Sequence, residues 1–120
     1  MRKIFGGSPD EVYQNYVSNS IYTRGEPLGG NAQYLKTVPV RVYSDPDIDW
    51  ALKNRGRDLY DMNAPDHTAL IIELNLQGND RAEFVNCLGK GYRMDGTRHP
   101  HSWSLVDADD YVKWMFQYIK

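Results

Sequence analysis

Only two segments of this 120-residue chain have the composition of β-strands, and a helical segment separates them. Residues 38–43 are the clearer strand, because they are rich in β-branched and aromatic side chains and carry proline near the start. Residues 84–88 are the second. The apolar run between them predicts a well-buried helix over residues 65–76, with Asn63 as its cap. A strand, a helix and a strand in this order favour neighbouring parallel strands joined by a right-handed crossover.

Helices are also expected near both ends of the chain. Ser8 and Glu11 have the spacing of a capping box, which predicts that a first helix begins there. Asp107 is placed to cap a last helix. The predicted apolar face of that last helix consists of Val112, Met115, Phe116 and Ile119. The chain is therefore expected to have an α/β fold.

Two strands are too few for an ordinary parallel sheet. Parallel sheets are normally covered by helices on both faces and contain more strands than two. We therefore expect this chain to be part of a larger α/β fold, or to complete its sheet by association with another chain or segment.

The composition argues against several classes of partner and cofactor. Fourteen Lys and Arg residues stand against sixteen Asp and Glu residues, so no basic excess points to nucleic acid. The longest apolar runs are far too short for a membrane span. The single cysteine, Cys87, excludes an internal disulfide framework and a multi-thiolate metal site. Gly89 and Gly91 lack the further glycine of a dinucleotide-binding loop, so no cofactor is predicted.

Polar residues follow each predicted strand. Asp45, Asp47 and Asp49 follow the first strand, and His99 and His101 follow the second. The carboxyl ends of parallel strands meet at one edge of a sheet, where ligands gather. An Asp that accepts a hydrogen bond from His Nδ1 is the orienting half of a nucleophile–His–acid triad. The competing interpretation is an acidic turn in which Asp45 or Asp49 caps the next helix, beside a surface histidine pair.

The same three aspartates also have the spacing that opens a calcium loop. Trp50 and Gly56, however, occupy the positions where that loop needs glycine and glutamate. A zinc site on the histidine pair lacks the usual His-Glu-x-x-His helix. No metal site is therefore predicted.

Residues 38–50 followed by residues 99–107 resemble the C-terminal part of an α/β-hydrolase of the esterase type. The resemblance implies that Asp47 is the triad acid, with Asp45 and Asp49 as alternatives. It implies that His101 is the triad histidine, with His99 as second choice. Residues 38–120 would be the hydrolase-like portion. Residues 1–37 would be a helix and loop segment of the kind that often belongs to a cap in that family.

The sequence departs from that family at the nucleophile. No Gly-x-Ser-x-Gly motif occurs, and residues 6–10 (Gly-Gly-Ser-Pro-Asp) lack the second glycine. The resemblance therefore implies the acid-and-histidine half of a serine hydrolase, whose completed site would act on a small ester or acyl substrate. We expect the 120-residue chain alone to be inactive, and to self-associate or to bind a complementary N-terminal segment. The alternative function is a non-catalytic binding or interaction module.

Four further residues have plainer interpretations. His67 is predicted to be on the surface or satisfied in the core, and Cys87 to be a core thiol. Arg98 is predicted to lie in a solvated loop with Lys90 and Arg93, and the alternative is that the three residues steer an anion toward His101. Trp103, like Trp50, is predicted to pack against the edge of the sheet, and the alternative is that the two rings form a wall on which a substrate stacks.

Overall fold

The computed structural model describes residues 2–119. Its five α-helices are α1 (Arg2–Phe5), α2 (Tyr13–Asn19), α3 (Ile48–Arg55), α4 (Ala64–Leu76) and α5 (Ala108–Phe116). Its two strands are β1 (Val40–Ser44) and β2 (Ala82–Asn86). Short 3₁₀ segments lie at Leu59–Asp61 and Trp103–Leu105, and Pro27–Leu35 contains 3₁₀ turns interrupted by the non-helical residues Leu28, Gly29 and Gly30.

The two strands form a parallel pair, in register from Val40 opposite Ala82 to Ser44 opposite Asn86. The crossover between them contains α4, as the sequence predicted. The chain is thus a mixed α/β protein with a small parallel sheet. The first strand begins two residues later than predicted, because Pro39 has no N–H and the ladder opens with Val40 N–H donating to Arg81 O.

Helix α4 packs on one face of the sheet and makes most of the core. Leu70, Ile71 and Leu74 of the helix are buried together with Ala32 and Ala82. Partly buried side chains that pack against this core are Tyr22, Leu35, Val40, Val42 and Phe84. The alternate residues of β1, Val40 and Val42, therefore face α4, as the two-residue period of a strand requires.

Helix α5 lies against the other face of the sheet. Arg41 of β1 pairs with Asp110 at 2.8 Å, and its guanidinium lies 5.6 Å from the Trp114 ring centre. The predicted apolar face of this helix is wrong, since Val112 and Phe116 are exposed. The sheet presents Arg41 and Tyr43 here rather than aliphatic side chains, so the helix docks through Trp114 and Asp110 instead. Asp107 caps α5 as predicted, accepting a hydrogen bond from Asp110 N at 3.0 Å.

The predicted first helix begins later than Ser8. Glu11 Oε2 does accept hydrogen bonds from Ser8 N and Ser8 Oγ at 2.7 and 2.9 Å. These bonds close a separate turn, because Val12 has φ −136° and ψ 50°, outside the helical region, and α2 starts at Tyr13. The capping contact was predicted, but the helix begins four residues later than predicted, with Val12 rather than Ser8 at the N-cap position.

The residues before β1 form hydrogen bonds and an ion pair with α4 and with the residues that directly follow it. Gln77 Nε2 donates to Leu28 O at 3.2 Å, and Arg24 pairs with Asp66 at 2.7 Å. Buried Asn79 donates to the carbonyls of Leu35 and Val38 at 2.9 and 2.8 Å. The division of the chain at residue 37 stays a prediction. Across residues 2–119, no helix combines the length and apolar character that a membrane span needs.

Candidate functional site

The polar clusters that follow the two strands line one cavity of about 240 Å³ at the carboxyl end of β1. The predicted pair, Asp47 and His101, both line it, as do the alternatives Asp45 and His99. The remaining wall is Tyr43, Ser44, Trp50, Ala51, Arg55, Arg57, Asp61, Met62, Asn63, Ala64, His67, Pro100 and Leu105. The parallel pairing of β1 and β2 brings these loops to the same edge.

Both carboxylate oxygens of Asp45 bind neighbouring N–H groups. Its side chain is 0% exposed. Oδ1 accepts from Gly89 N at 3.1 Å and from Arg98 Nη2 at 2.8 Å. Oδ2 accepts from Gly91 N at 2.9 Å and lies 2.7 Å from Arg98 Nη1. A carboxylate offers about four acceptor sites, so Asp45 has none left for a histidine.

The environment of Asp45 also fixes its charge. Burial alone would raise the pKa of this carboxyl group. The hydrogen bond from Arg98 and the amides of Gly91 and Gly89 outweigh burial, so the pKa is lower than usual. Asp45 is therefore an ionised anchor for residues 89–98. Gly91 is required in this loop, because a Cβ there would overlap the carbonyl oxygen of His99.

Asp47 is differently placed. Oδ1 accepts from Trp50 N at 2.9 Å and caps α3, while Oδ2 accepts from Arg98 Nη2 at 2.7 Å. The competing interpretation, an acidic turn that caps the next helix, is confirmed, but the cap is Asp47 rather than Asp45 or Asp49. About two acceptor sites of Asp47 remain open. Between the described residues Asp47 and His101, no hydrogen bond or ion pair is formed.

Arg98 differs more from its predicted environment than any other candidate residue of the site. Its side chain is only 19% exposed and joins Asp45 to Asp47, so the prediction of a solvated loop is wrong for this residue. Its Nη1 also donates to Gly91 O at 2.7 Å. Three aspartates within five residues require a compensating cation, and this requirement was the available signal. The sequence could not show which basic residue would meet it.

The two predicted histidines are neighbours. The His99 ring lies 5.7 Å from the Trp50 ring and 6.0 Å from the His101 ring, edge-on in both cases. The pKa of His99 is lowered, first by burial and then by the nearby basic side chains, of which Arg93 has the largest effect. His99 is therefore neutral near pH 7 and half-buried, whereas His101 is exposed at the mouth of the cavity.

A third histidine, His67, also lines the cavity. Its Nδ1 is buried without a hydrogen-bond partner, and burial lowers its pKa. The prediction of a surface or satisfied histidine is wrong. A crossover helix starts at the edge where its strand ends, so the first turn of α4 faces this site. That topology was the signal that could have placed His67 here.

The prediction for Cys87 is confirmed, and the prediction for Trp103 is wrong. Cys87 is 2% exposed and burial raises its pKa, so it is an unreactive core thiol, as predicted. Trp50 lies at the cavity wall, but Trp103 is 91% exposed, which contradicts the prediction that it packs against the sheet.

Within the described part of the chain, residues 2–119, no group of three or more His, Cys, Asp or Glu side chains is arranged to hold a metal ion. No protein-family model matches the sequence, and neither a curated protein nor a solved structure matches the chain.

Proposed function

We propose that this chain supplies the acid and the histidine of a serine-hydrolase site, with Asp47 as the acid and His101 as the histidine. The observation that carries the proposal is their position on one cavity, at the carboxyl end of adjacent parallel strands. This edge is where open α/β sheets hold their ligands. The substrate class is a small ester or related acyl compound.

The available acceptor sites favour Asp47 over its neighbours. Asp45 already has four contacts on its two oxygens, whereas Asp47 has two. Asp49 is exposed in the first turn of α3 and lies outside the cavity wall. Asp47 is therefore the carboxylate of this turn that can accept an imidazole N–H from inside the cavity.

The chemistry follows the general scheme of acyl transfer. A serine hydroxyl from another segment attacks the acyl carbonyl, and His101 takes its proton. The same proton then goes to the departing alcohol, and a water molecule repeats the sequence to release the acid. Asp47 holds the imidazole in the tautomer that leaves Nε2 free for the hydroxyl. This chain would supply only the histidine and the acid of that triad, and the serine would come from another segment.

The tautomer of His101 tests the proposal. In ¹⁵N-histidine-labelled protein, we expect His101 to populate the Nδ1–H form at neutral pH. The Asp47→Asn variant should shift the imidazole toward the other tautomer, while the Asp49→Asn variant should leave it unchanged. Both substitutions remove one negative charge from the same turn, so Asp49→Asn is a matched control. An unchanged tautomer in Asp47→Asn would refute the acid role of Asp47.

A non-catalytic binding module is the second candidate. This candidate is favoured because the Asp47 carboxylate accepts hydrogen bonds from Arg98 and from the Trp50 amide, and not from a histidine. In that case the cavity would bind a ligand without turning it over. The tautomer measurement separates the two functions, because a purely structural Asp47 would not orient His101.

Activity and assembly of the 120-residue chain stay predictions. We expect no ester hydrolysis above a buffer blank, because the chain has no nucleophile elbow. We expect self-association or binding of a complementary N-terminal segment, since Val112, Phe116 and Ile119 are exposed near α5. Light scattering and a fluorogenic ester assay on one sample check both. A monomer whose robust hydrolysis is lost in His101→Ala would contradict the account of a missing nucleophile.

A further inference from the structure

The charges of the cavity are balanced. Six charged residues lie in its wall or pair directly with it, namely the carboxylates Asp45, Asp47 and Asp61 and the arginines Arg55, Arg57 and Arg98. The pKa of His99 is lowered, first by burial, so this imidazole is neutral near pH 7. An ionic ligand would lose its hydration here without a surplus of opposite charge to replace it. The wall therefore suits an uncharged ligand.

Apolar side chains form a further part of the wall. They are Trp50, Ala51, Met62, Ala64, Pro100 and Leu105. A protein cavity of about 150 Å³ is large enough to hold benzene. The volume of this cavity, about 240 Å³, therefore has room for one aromatic ring and a short acyl arm.

The Trp50 ring lies among other residues of the wall. The Arg55 guanidinium is 5.8 Å from its centre, and the His99 ring is 5.7 Å away with an interplanar angle of 69°. His99 in turn lies 6.0 Å from the His101 ring at an angle of 64°. Three rings thus follow one another from Trp50 to the proposed triad histidine. Aromatic rings pair edge-to-face or offset, and such a pair contributes more than the apolar area it buries.

We propose that the acyl group of the substrate is an uncharged aromatic group, of the phenylacetyl class, that lies against Trp50 and His99. This inference rests on the proposed function in treating the cavity as the acyl site beside His101. It also distinguishes the two tryptophans near the candidate loops. Trp50 contacts the substrate, whereas Trp103 is 91% exposed and lies outside the cavity wall.

An NMR titration with two neutral esters tests the inference. Methyl phenylacetate and methyl cyclohexylacetate share one carbon skeleton, but only the first has an aromatic ring. We expect the 120-residue chain to bind methyl phenylacetate about threefold to tenfold more tightly, the effect of one aromatic pair. The cyclohexyl ester is the more hydrophobic, so burial of apolar surface alone would give the opposite order.

The ring current of bound methyl phenylacetate should also shift the indole N–H signal of Trp50 and leave that of Trp103 in place. Equal affinities, a preference for the cyclohexyl ester, or no saturable binding of methyl phenylacetate would overturn the inference. A larger shift at Trp103 than at Trp50 would also overturn it.

Matched variants locate the effect. Trp50→Leu should remove the preference for methyl phenylacetate, and Trp103→Leu, the same change at an exposed ring, should keep it. If circular dichroism shows that Trp50→Leu does not fold, the Trp50 indole shift in the native chain decides the question. Equal loss in Trp103→Leu would show stacking on any available indole and refute the site. The His101 tautomer is measured without ligand, so the proposed function and this inference can fail separately.

Discussion

Two arginines, Arg98 and Arg41, each pair with two carboxylates, and the surroundings of the two arginines differ. Arg98, at the carboxyl edge of the sheet, pairs with Asp45 and Asp47, whose side chains are 0% and 23% exposed. Arg41, between the sheet and α5, pairs with Glu83 and Asp110, which are 40% and 50% exposed. The two arginines are themselves similarly covered, at 19% and 14%.

The difference lies in the carboxylates. A buried carboxylate that loses its partner keeps its charge without solvent, and this is strongly unfavourable. An exposed carboxylate is solvated by water when its partner leaves, so the pair contributes little. Arg98 is therefore required for the structure of the site, whereas the ion pairs of Arg41 contribute little to the packing of α5 on the sheet.

Removing Arg98 should have the largest effect. In Arg98→Met, Asp45 is left as a buried charge, and we expect the free energy of unfolding to fall by about 3–5 kcal/mol. Urea denaturation followed by circular dichroism measures this loss. A loss below about 1 kcal/mol would show that the buried pair does not stabilise the fold.

Acid should have an intermediate effect through Asp45. Its pKa is lower in the folded chain than in the unfolded one, because the Arg98 and glycine-amide hydrogen bonds outweigh burial. The stability that its charge contributes is complete above the unfolded pKa of about 4 and is lost as the pH falls through the folded pKa. The stability difference between the native chain and Asp45→Asn should therefore shrink below pH 4. A difference that stays constant from pH 6 to pH 2.5 would contradict this assignment.

Removing Arg41 should have the smallest effect. Arg41→Met leaves two solvated carboxylates and loses contacts with the Tyr43 and Trp114 rings, so we expect about 1 kcal/mol. The same urea titration measures it. A loss as large as that of Arg98→Met would remove the distinction between the two arginines.

Much of the backbone was predictable because it depends on local pattern. The β-branched run of residues 38–43 and the apolar run of α4 predicted the parallel pair and its crossover helix, and the structure confirms both. Asp107 was predicted as a cap because its role depends on a neighbouring amide three residues away. The cap involves neighbouring residues, whereas β1 and β2 pair across 42 residues; that pairing was predictable because a strand, a helix and a strand in this order favour parallel neighbours.

The parts that failed depend on long-range contacts. Arg98 and Asp45 are 53 residues apart in sequence, and only the folded chain brings them together. The buried face of α5 was predicted wrongly. An apolar stripe shows which residues of a helix are hydrophobic, but it does not show that the facing side of the sheet carries Arg41 and Tyr43 instead of aliphatic side chains. The fold class could be predicted at the level of a mixed α/β chain. The hydrolase resemblance stays a prediction.

Hydrogen exchange at Gly91 tests the central claim most directly. The claim is that Arg98, anchored on buried Asp45, holds the loop that carries the histidines beside Asp47. Gly91 is buried and its amide donates to Asp45 Oδ2, so it reports on this loop. We predict that exchange of the Gly91 amide in Arg98→Met accelerates more than exchange of the core amide of Leu74, and that Arg41→Met accelerates the two amides equally. Equal acceleration of Gly91 and Leu74 in Arg98→Met would show that Arg98 stabilises the chain globally without holding this loop, and would contradict the claim.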